Sequence, residues 1–369
     1  MKIQVMPQAM VNQIGICQRA ISSRTTMPIL ECIRFEAKGD QLKLTATDLE
    51  LFIESQMPCR ILEEGVVVMP ATMIGNIFRK LPQEVVTLTE QEGRVQIDCG
   101  AVHFDIQVPN PEDFPPMPQP EEAGETVLDN DLLIQAIRET EFATSMDETR
   151  IELTGIFYER KKDQLSLVSL DGYRMAVRKI ALAADAPEKA SSAIVPKRAF
   201  NELSRILKED EKTAIALAPG HIHFTSGSVR MVARLIDKKY IQYEDIISTH
   251  FSSEIILDRQ DFQAALERAS LLAKEERANL IKLLFQAEGL LIQSNSEIGS
   301  VQEKLGAKID GEEMTIAFNA KYLLDGIKAL HCDRVLLRLN GPLNPMVIHP
   351  EGEVDSYLYL VLPVRIAQE

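Results

Sequence analysis

The chain has 369 residues, 45% hydrophobic and 26% charged, and a formal net charge of −15 from 40 basic and 55 acidic side chains. Such a length argues for two or three cores rather than one, and no apolar run approaches the roughly 20 residues that would cross a membrane. The acidic balance excludes general attraction to a phosphate backbone, so nucleic acid is a partner only if basic residues are segregated onto one surface.

The opening stretch MKIQVMPQAMVNQIGICQ lacks the continuous apolar core and small-residue cleavage site of a secretory signal, so a cytoplasmic protein is expected. Cys17, Cys32, Cys59, Cys99 and Cys332 are odd in number and widely spaced, which fits reduced thiols rather than a disulfide framework or a metal knuckle.

In chain order, QAMVNQIGICQRAIS (8–22) reads as a helix. LECIRFEAKGDQLKLTATDLELFIES (30–55) reads as strand, tight turn, strand, with the two-residue alternation of half-buried strands in LKLTAT and turn chemistry in KGDQ. VMPATMIGNIFRKL (68–81) is an amphipathic helix. The Pro-rich, acidic stretch VPNPEDFPPMPQPEEAGE (108–125) suits a linker between domains.

The same series then recurs. NDLLIQAIRETEFATS (130–145) is helical, with Asn130 or Asp129 able to cap it; IELTGIFYERKKDQLSLVSLDGYRMAV (151–177) is a second hairpin, and IVPKRAFNELSRIL (194–207) a second amphipathic helix. After a weaker junction at 237–254, the third series is RQDFQAALERASLLAKEE (259–276), capped by Asp258, then the hairpin 281–305 and the helix AFNAKYLLDGIKAL (317–330).

Aligning Pro70, Pro196 and Asn319 puts apolar anchors in register at Ile74, Phe200 and Leu323 and again at Leu81, Leu207 and Leu330. A basic residue recurs two places before each closing leucine, as Arg79, Arg205 and Lys328, while Arg138 and Arg268 lie on the polar sides of the opening helices. Asp48 and Asp171 occupy matching places after the hairpins, with Ser296 in the third copy. A period this long marks a repeat architecture. The expected fold is α+β, with three similar domains near 1–120, 121–250 and 251–369, each carrying two helices packed on antiparallel sheets.

No Walker loop, Gly-x-Ser-x-Gly elbow or His-Glu-x-x-His is present, and no catalytic residue, metal ligand or cofactor is expected. His221 and His223 share a strand face without an evident third ligand and read as exposed strand residues; Glu312 and Glu313 read as a solvated turn. Metal-assisted chemistry at Asp48 and Asp171 is a rival reading, set against a plain role in ending hairpins.

Seven motifs in order, MPILECIRF, TATDLEL, SLDGYRMAV, VPKRAF, DKKYIQYEDII, FNAKYLLDGIKAL and YLYLVLPVRI, give the chain a resemblance along its whole length to the bacterial DNA polymerase III beta subunit, the replicative sliding clamp. The resemblance implies a head-to-tail homodimer closed into a ring of six domains around double-stranded DNA, bound without regard to sequence. By that likeness Arg24, Arg79, Arg150, Lys197, Arg198, Arg205 and Lys328 face phosphates. Leu153, Leu170, Gly172, Tyr173, Arg174, Met175, Ile241, Ile246, Leu360, Leu362, Pro363, Val364 and Arg365 form a groove for short peptides of partner proteins.

The implied partners are the DNA polymerase III alpha subunit, a clamp loader complex, and other polymerases and repair proteins carrying a clamp-binding peptide; no membrane is involved. Two departures from the family bear on the groove. Ile241 stands where many relatives have Pro, and the chain continues past Arg365 as Ile366, Ala367, Gln368 and Glu369. The ring contact would set Phe104 and Ile106 against Leu271 and Leu272, with Arg268, Glu297 and Glu303 near the rim. The alternative is a three-repeat protein-binding scaffold that does not encircle DNA.

Overall fold

A computed structural model describes residues 1–22, 25–119, 124–183, 190–248, 250–275 and 279–365. Among these residues the six α-helices are α1 Pro7–Cys17, α2 Ala71–Lys80, α3 Asn130–Thr140, α4 Lys197–Ile206, α5 Arg259–Ala273 and α6 Ala320–Ala329, two in each sequence copy. The local chemistry that starts them differs. Pro70 and Pro196 immediately precede α2 and α4, whereas the Asn319 side chain accepts the amides of Lys321 (2.9 Å) and Tyr322 (3.4 Å). Asp258 caps α5 by accepting Asp261 N at 2.9 Å.

The chain folds into two compact units, and these are not the three sequence copies. The first comprises Met1–Asp131 with Arg198–Leu235, the second Leu132–Lys197 with Ile236–Glu369. Each hairpin of the sequence reading gains a third strand that periodicity did not reveal: Leu51–Pro58, Arg174–Ala181 and Gly299–Leu305.

Within the first unit an eight-stranded antiparallel sheet runs in the order Thr126–Asp129, Lys212–Ala218, His221–Ser226, Val229–Arg234, Leu51–Pro58, Gln41–Thr47, Cys32–Lys38, Gly65–Pro70. Its seam joins the start of one copy to the end of the next, with Ile53 opposite Met231 and Leu51 opposite Ala233. A five-stranded sheet ends at the strand Val102–Gln107. Helices α1 and α2 pack on each other, burying Met10, Ile14, Cys17, Ile74 and Phe78.

Within the second unit a nine-stranded sheet repeats the arrangement. The hairpin strands Gly155–Arg160, Gln164–Leu170 and Arg174–Ala181 continue across a seam, Arg174 opposite Val361, into Tyr357–Val361, Met346–Pro350 and Arg334–Leu339. A four-stranded sheet ends at Gly299–Leu305. Helices α5 and α6 pack together over a core that includes Phe262, Leu266, Leu323, Ile327 and Tyr359.

Several expectations change. The stretch 108–119 is not a bare linker: Asn110 caps a 3-10 turn Pro111–Asp113, and Phe114 is buried with Ile29, Cys32 and Val68. At the second junction Tyr240 and Tyr243 are buried; Tyr240 stacks on Phe157 (4.6 Å between centroids) and Tyr243 donates to Glu159 at 2.9 Å. Leu207, read as a buried anchor, is only half-buried, whereas Leu81 and Leu330 are in the core.

His223 is not an exposed strand residue. It is 5% exposed, neither ring nitrogen has a hydrogen-bond partner among the described residues, and burial holds its pKa below the usual 6.5. Among the described residues no group of three or more His, Cys, Asp or Glu is placed to hold a metal ion, and no helix is long and apolar enough to cross a membrane. All five cysteines are free thiols.

Candidate protein-docking groove and nucleic-acid interface

The strand ending at Leu170 must reverse into the strand beginning at Arg174, and the sequence Asp171-Gly172-Tyr173 supplies the chemistry. Asp171 Oδ1 accepts the amides of Tyr173 (2.9 Å) and Arg174 (3.0 Å), and Gly172 adopts φ 94°, where a side chain is disfavoured. The turn thereby leaves Tyr173 61% exposed between Leu170 and Met175, which belong to a buried apolar layer.

That layer is one packed cluster. It contains Leu153, Leu170, Met175 and Leu360, with Ile241 and Leu362 packed against it. Tyr173 O accepts Leu362 N at 2.9 Å, and Val364 N donates to Ala317 O at 2.8 Å, so the C-terminal segment is tied beside the corner. Ile246 is exposed on a 3-10 turn Tyr243–Ile246; Pro363 and Val364 are half-buried, and Arg365 is exposed. Residues 366–369, the expected tail extension, lie outside the described residues.

Arg174, 7% exposed, fastens the corner to α6. It donates from Nε to Asp171 Oδ2 (2.9 Å), from Nη1 to Asp325 Oδ2 (2.7 Å) and from Nη2 to Phe142 O (2.8 Å), and it sits 4.6 Å over the Tyr322 ring. Burial works against its charge, yet the Tyr359 hydroxyl, Asp325 and Asp171 raise its pKa above the usual arginine value. Tyr173 lies against Tyr322, 6.1 Å between centroids, which extends the aromatic wall.

The sequence reading missed Tyr322, Asp325 and Phe142. The available signal was an aromatic at 322 where the matching helix positions hold Met73 and Ala199. No spacing rule links it to residue 174.

The first unit builds the equivalent corner from Asp48-Leu49-Glu50. Asp48 Oδ1 accepts Glu50 N (3.2 Å) and Leu51 N (2.9 Å), and Leu49 takes φ 77°. Here the guanidinium comes from the helix: Arg198 bonds Asp48 Oδ2 and reaches Arg19 O (3.2 Å) and Ala20 O (3.3 Å). Both aspartates therefore end hairpins and hold arginines, which is the plain reading rather than metal chemistry.

The predicted phosphate-facing residues are exposed or half-buried, but most carry an internal carboxylate. Lys197 meets Glu141 (3.3 Å), Arg205 meets Glu202 (3.3 Å), Lys328 meets Glu267 (2.9 Å) and Arg150 lies 3.8 Å from Glu152. Arg79 donates from Nε to Gly75 O at 2.9 Å. Arg24 lies outside the described residues. Sequence showed the cations; the partners of Arg79, Arg150 and Arg205 sit on the same helix or 3-10 segment, and those of Lys197, Arg198 and Lys328 on other elements.

Of the expected ring-contact residues, Phe104 is 37% exposed and Ile106 half-buried on the end strand of the five-stranded sheet. Leu271 is 67% exposed on α5, Leu272 half-buried and Glu297 exposed; Arg268 Nε donates to Glu303 Oε2 at 2.8 Å. That hydrogen bond is the leading cause of the depressed Glu303 pKa.

Three family models match in succession: the DNA polymerase III beta subunit N-terminal domain at 1–118, its central domain at 127–242 and its C-terminal domain at 244–365. A "Beta sliding clamp" of Bacillus subtilis is 34% identical over 99% of this chain and 100% of its own length. One from Staphylococcus epidermidis is 33% identical over 96% and 97%. Among solved structures, a Bacillus subtilis DNA polymerase sliding clamp aligns over all of both chains with TM-score 0.96 and 33% identity. A Pseudomonas aeruginosa sliding clamp bound to griselimycin aligns over 99% of this chain and 100% of its own, with TM-score 0.94 and 25% identity.

Proposed function

Because the chain belongs to the DNA polymerase III beta subunit family, the beta sliding clamps, we propose that it works by encircling duplex DNA as a head-to-tail dimer and carrying partner proteins on the groove at Tyr173. It is a DNA sliding clamp, a processivity factor rather than a catalyst. The observation that carries the tethering role is the corner itself, an exposed tyrosine and a half-buried C-terminal segment held over an apolar floor by a buried arginine. Such a surface takes a short peptide with apolar side chains, the floor receiving those side chains beside the C-terminal segment.

Three domains near 1–120, 121–250 and 251–369, doubled, make the six-domain ring. Two free sheet edges support the closure. Among the described residues the strand Val102–Gln107 and the strand Gly299–Leu305 both lack a partner on one side, and each has exposed apolar side chains nearby, Phe104 in one case and Leu271 and Ile298 in the other. Edges of this kind add strands from another copy. A closed ring needs only weak phosphate contacts, and the internal carboxylates beside Lys197, Arg205 and Lys328 weaken them, which favours sliding over gripping.

The partners of the groove are the DNA polymerase III alpha subunit, the clamp loader and other DNA-processing proteins with a clamp-binding peptide, and the protein acts in the cytoplasm. A Pseudomonas aeruginosa relative is bound to griselimycin, and we take this groove as the place where such a ligand would bind the present chain. The test is to load the protein onto nicked circular DNA with the cognate loader and ATP, wash in high salt, and compare linearised DNA. Retention on circles with loss from linear ends is expected. Equal loss from both refutes encirclement and leaves the three-repeat scaffold.

A further inference from the structure

We infer that the corner Asp48–Leu51 is a closed copy of the partner groove, and that two cross-strand ion pairs, Glu50 with Arg234 and Glu54 with Arg230, close it to apolar peptides. The inference rests on the groove reading above.

The two corners share a backbone. Asp48 N donates to Leu51 O at 3.3 Å and Asp171 N to Arg174 O at 3.2 Å; Arg234 N donates to Glu50 O and Leu362 N to Tyr173 O, both at 2.9 Å. In each, the aspartate carboxylate holds the next two amides but one, and the residue after it has positive φ. The deepest floor positions are apolar in both: Leu30, Phe52 and Val232 match Leu153, Met175 and Leu360, all at or below 5% exposure.

What differs is the surface laid on that frame. Strand register places Arg230 opposite Glu54, where the second unit has Leu358 opposite Val177. One step further, Arg234 meets Glu50 at 3.1 Å, where the second unit has Leu362 beside Tyr173. Arg230 lies 3.5 Å from Glu54, whose carboxylate is 6% exposed and also meets Lys43 at 3.6 Å. Four apolar residues in one copy are thus two ion pairs in the other.

An apolar side chain entering the first corner would strip water from these charges and offer them no hydrogen bond in return. The exposed Glu50–Arg234 pair contributes little to stability, so its replacement leaves the fold intact while removing the barrier. Leu49, 42% exposed, adds bulk where Gly172 has none.

Griselimycin titrated calorimetrically against the full chain reads the number of open corners. Wild type takes one molecule per chain. The variant Glu50→Tyr, Glu54→Val, Arg230→Leu, Arg234→Leu with Leu49→Gly takes two. One per chain in a variant whose thermal unfolding stays cooperative overturns the inference and leaves the groove reading standing; none in wild type overturns both. Should the five-fold variant not fold, the reciprocal pair decides. Tyr173→Glu with Leu362→Arg weakens binding at least 100-fold, against about tenfold for Tyr173→Gln with Leu362→Gln, and equal losses overturn the inference.

Discussion

Replacing Arg174 by Met separates the role of a buried cation from that of its exposed counterpart. Arg174 bridges Asp171, Asp325 and the Phe142 carbonyl at 7% exposure, so its loss leaves two carboxylates facing a low-dielectric corner. Removing one partner of a buried pair typically destabilises by about 3 to 5 kcal/mol. Asp325 keeps Lys321 at 2.7 Å and Asp171 keeps its two backbone amides, which places the expected loss near the lower bound, about 3 kcal/mol.

Arg198 offers the internal control, because it donates to the equivalent aspartate and to backbone carbonyls of the matching 3-10 turn. Its side chain is 43% exposed, so Arg198→Met should cost only about 1 kcal/mol. For units of this size a kilocalorie moves the thermal midpoint by about 2 to 4 °C. Scanning calorimetry should therefore show Arg174→Met melting roughly 6 to 12 °C lower and Arg198→Met roughly 2 to 4 °C lower. Equal shifts, or less than about 2 °C for Arg174→Met, would refute the claim that burial makes the second corner's cation the stronger tie.

Gly326→Ala drives a methyl group into the ring of Tyr359, which is fully buried and anchored by its hydroxyl to Tyr322 O at 2.8 Å; a loss of about 1 to 3 kcal/mol in urea titrations is expected. Glu202→Gln frees Arg19 (3.0 Å) and Arg205 (3.3 Å), so the slope of log affinity for duplex DNA against log salt should steepen by about 0.9 for each phosphate newly contacted. An unchanged slope would put both arginines away from the backbone. His223 and His349 are held below pH 6.5 chiefly by burial, so the unfolded chain binds more protons just below that value. Stability should be steady above pH 6.5, fall as pH drops from there toward the lower folded values and level off below them, with His223→Leu flattening the decline.

The sequence was most readable where chemistry is local. The three amphipathic helices and the turn aspartates Asp48 and Asp171 stand where their spacing put them, because helix faces and Asx turns depend on residues within a few places of each other. The third strands Leu51–Pro58 and Arg174–Ala181 were hidden because each has its outer neighbour far along the chain, Val229–Arg234 for the first and Tyr357–Val361 for the second. His223 and the ion pairs that offset Lys197 and Lys328 were invisible for the same reason. Burial and charge compensation are set by neighbours that no periodicity brings together.

The sheet seams also dictate an order of events during synthesis. The strand Leu51–Pro58 acquires its outer neighbour Val229–Arg234 only after more than a hundred and fifty further residues have left the ribosome, and Arg174–Ala181 waits similarly for Tyr357–Val361. Until then each nascent hairpin presents a bare edge with apolar side chains, Leu51, Phe52 and Ile53 in the first and Met175, Val177 and Ile180 in the second, the kind of template that captures stray strands. Growth of the chain, rather than formation of any single copy, completes the two large sheets, and translation pauses before residue 229 or 357 would lengthen the exposure of those edges.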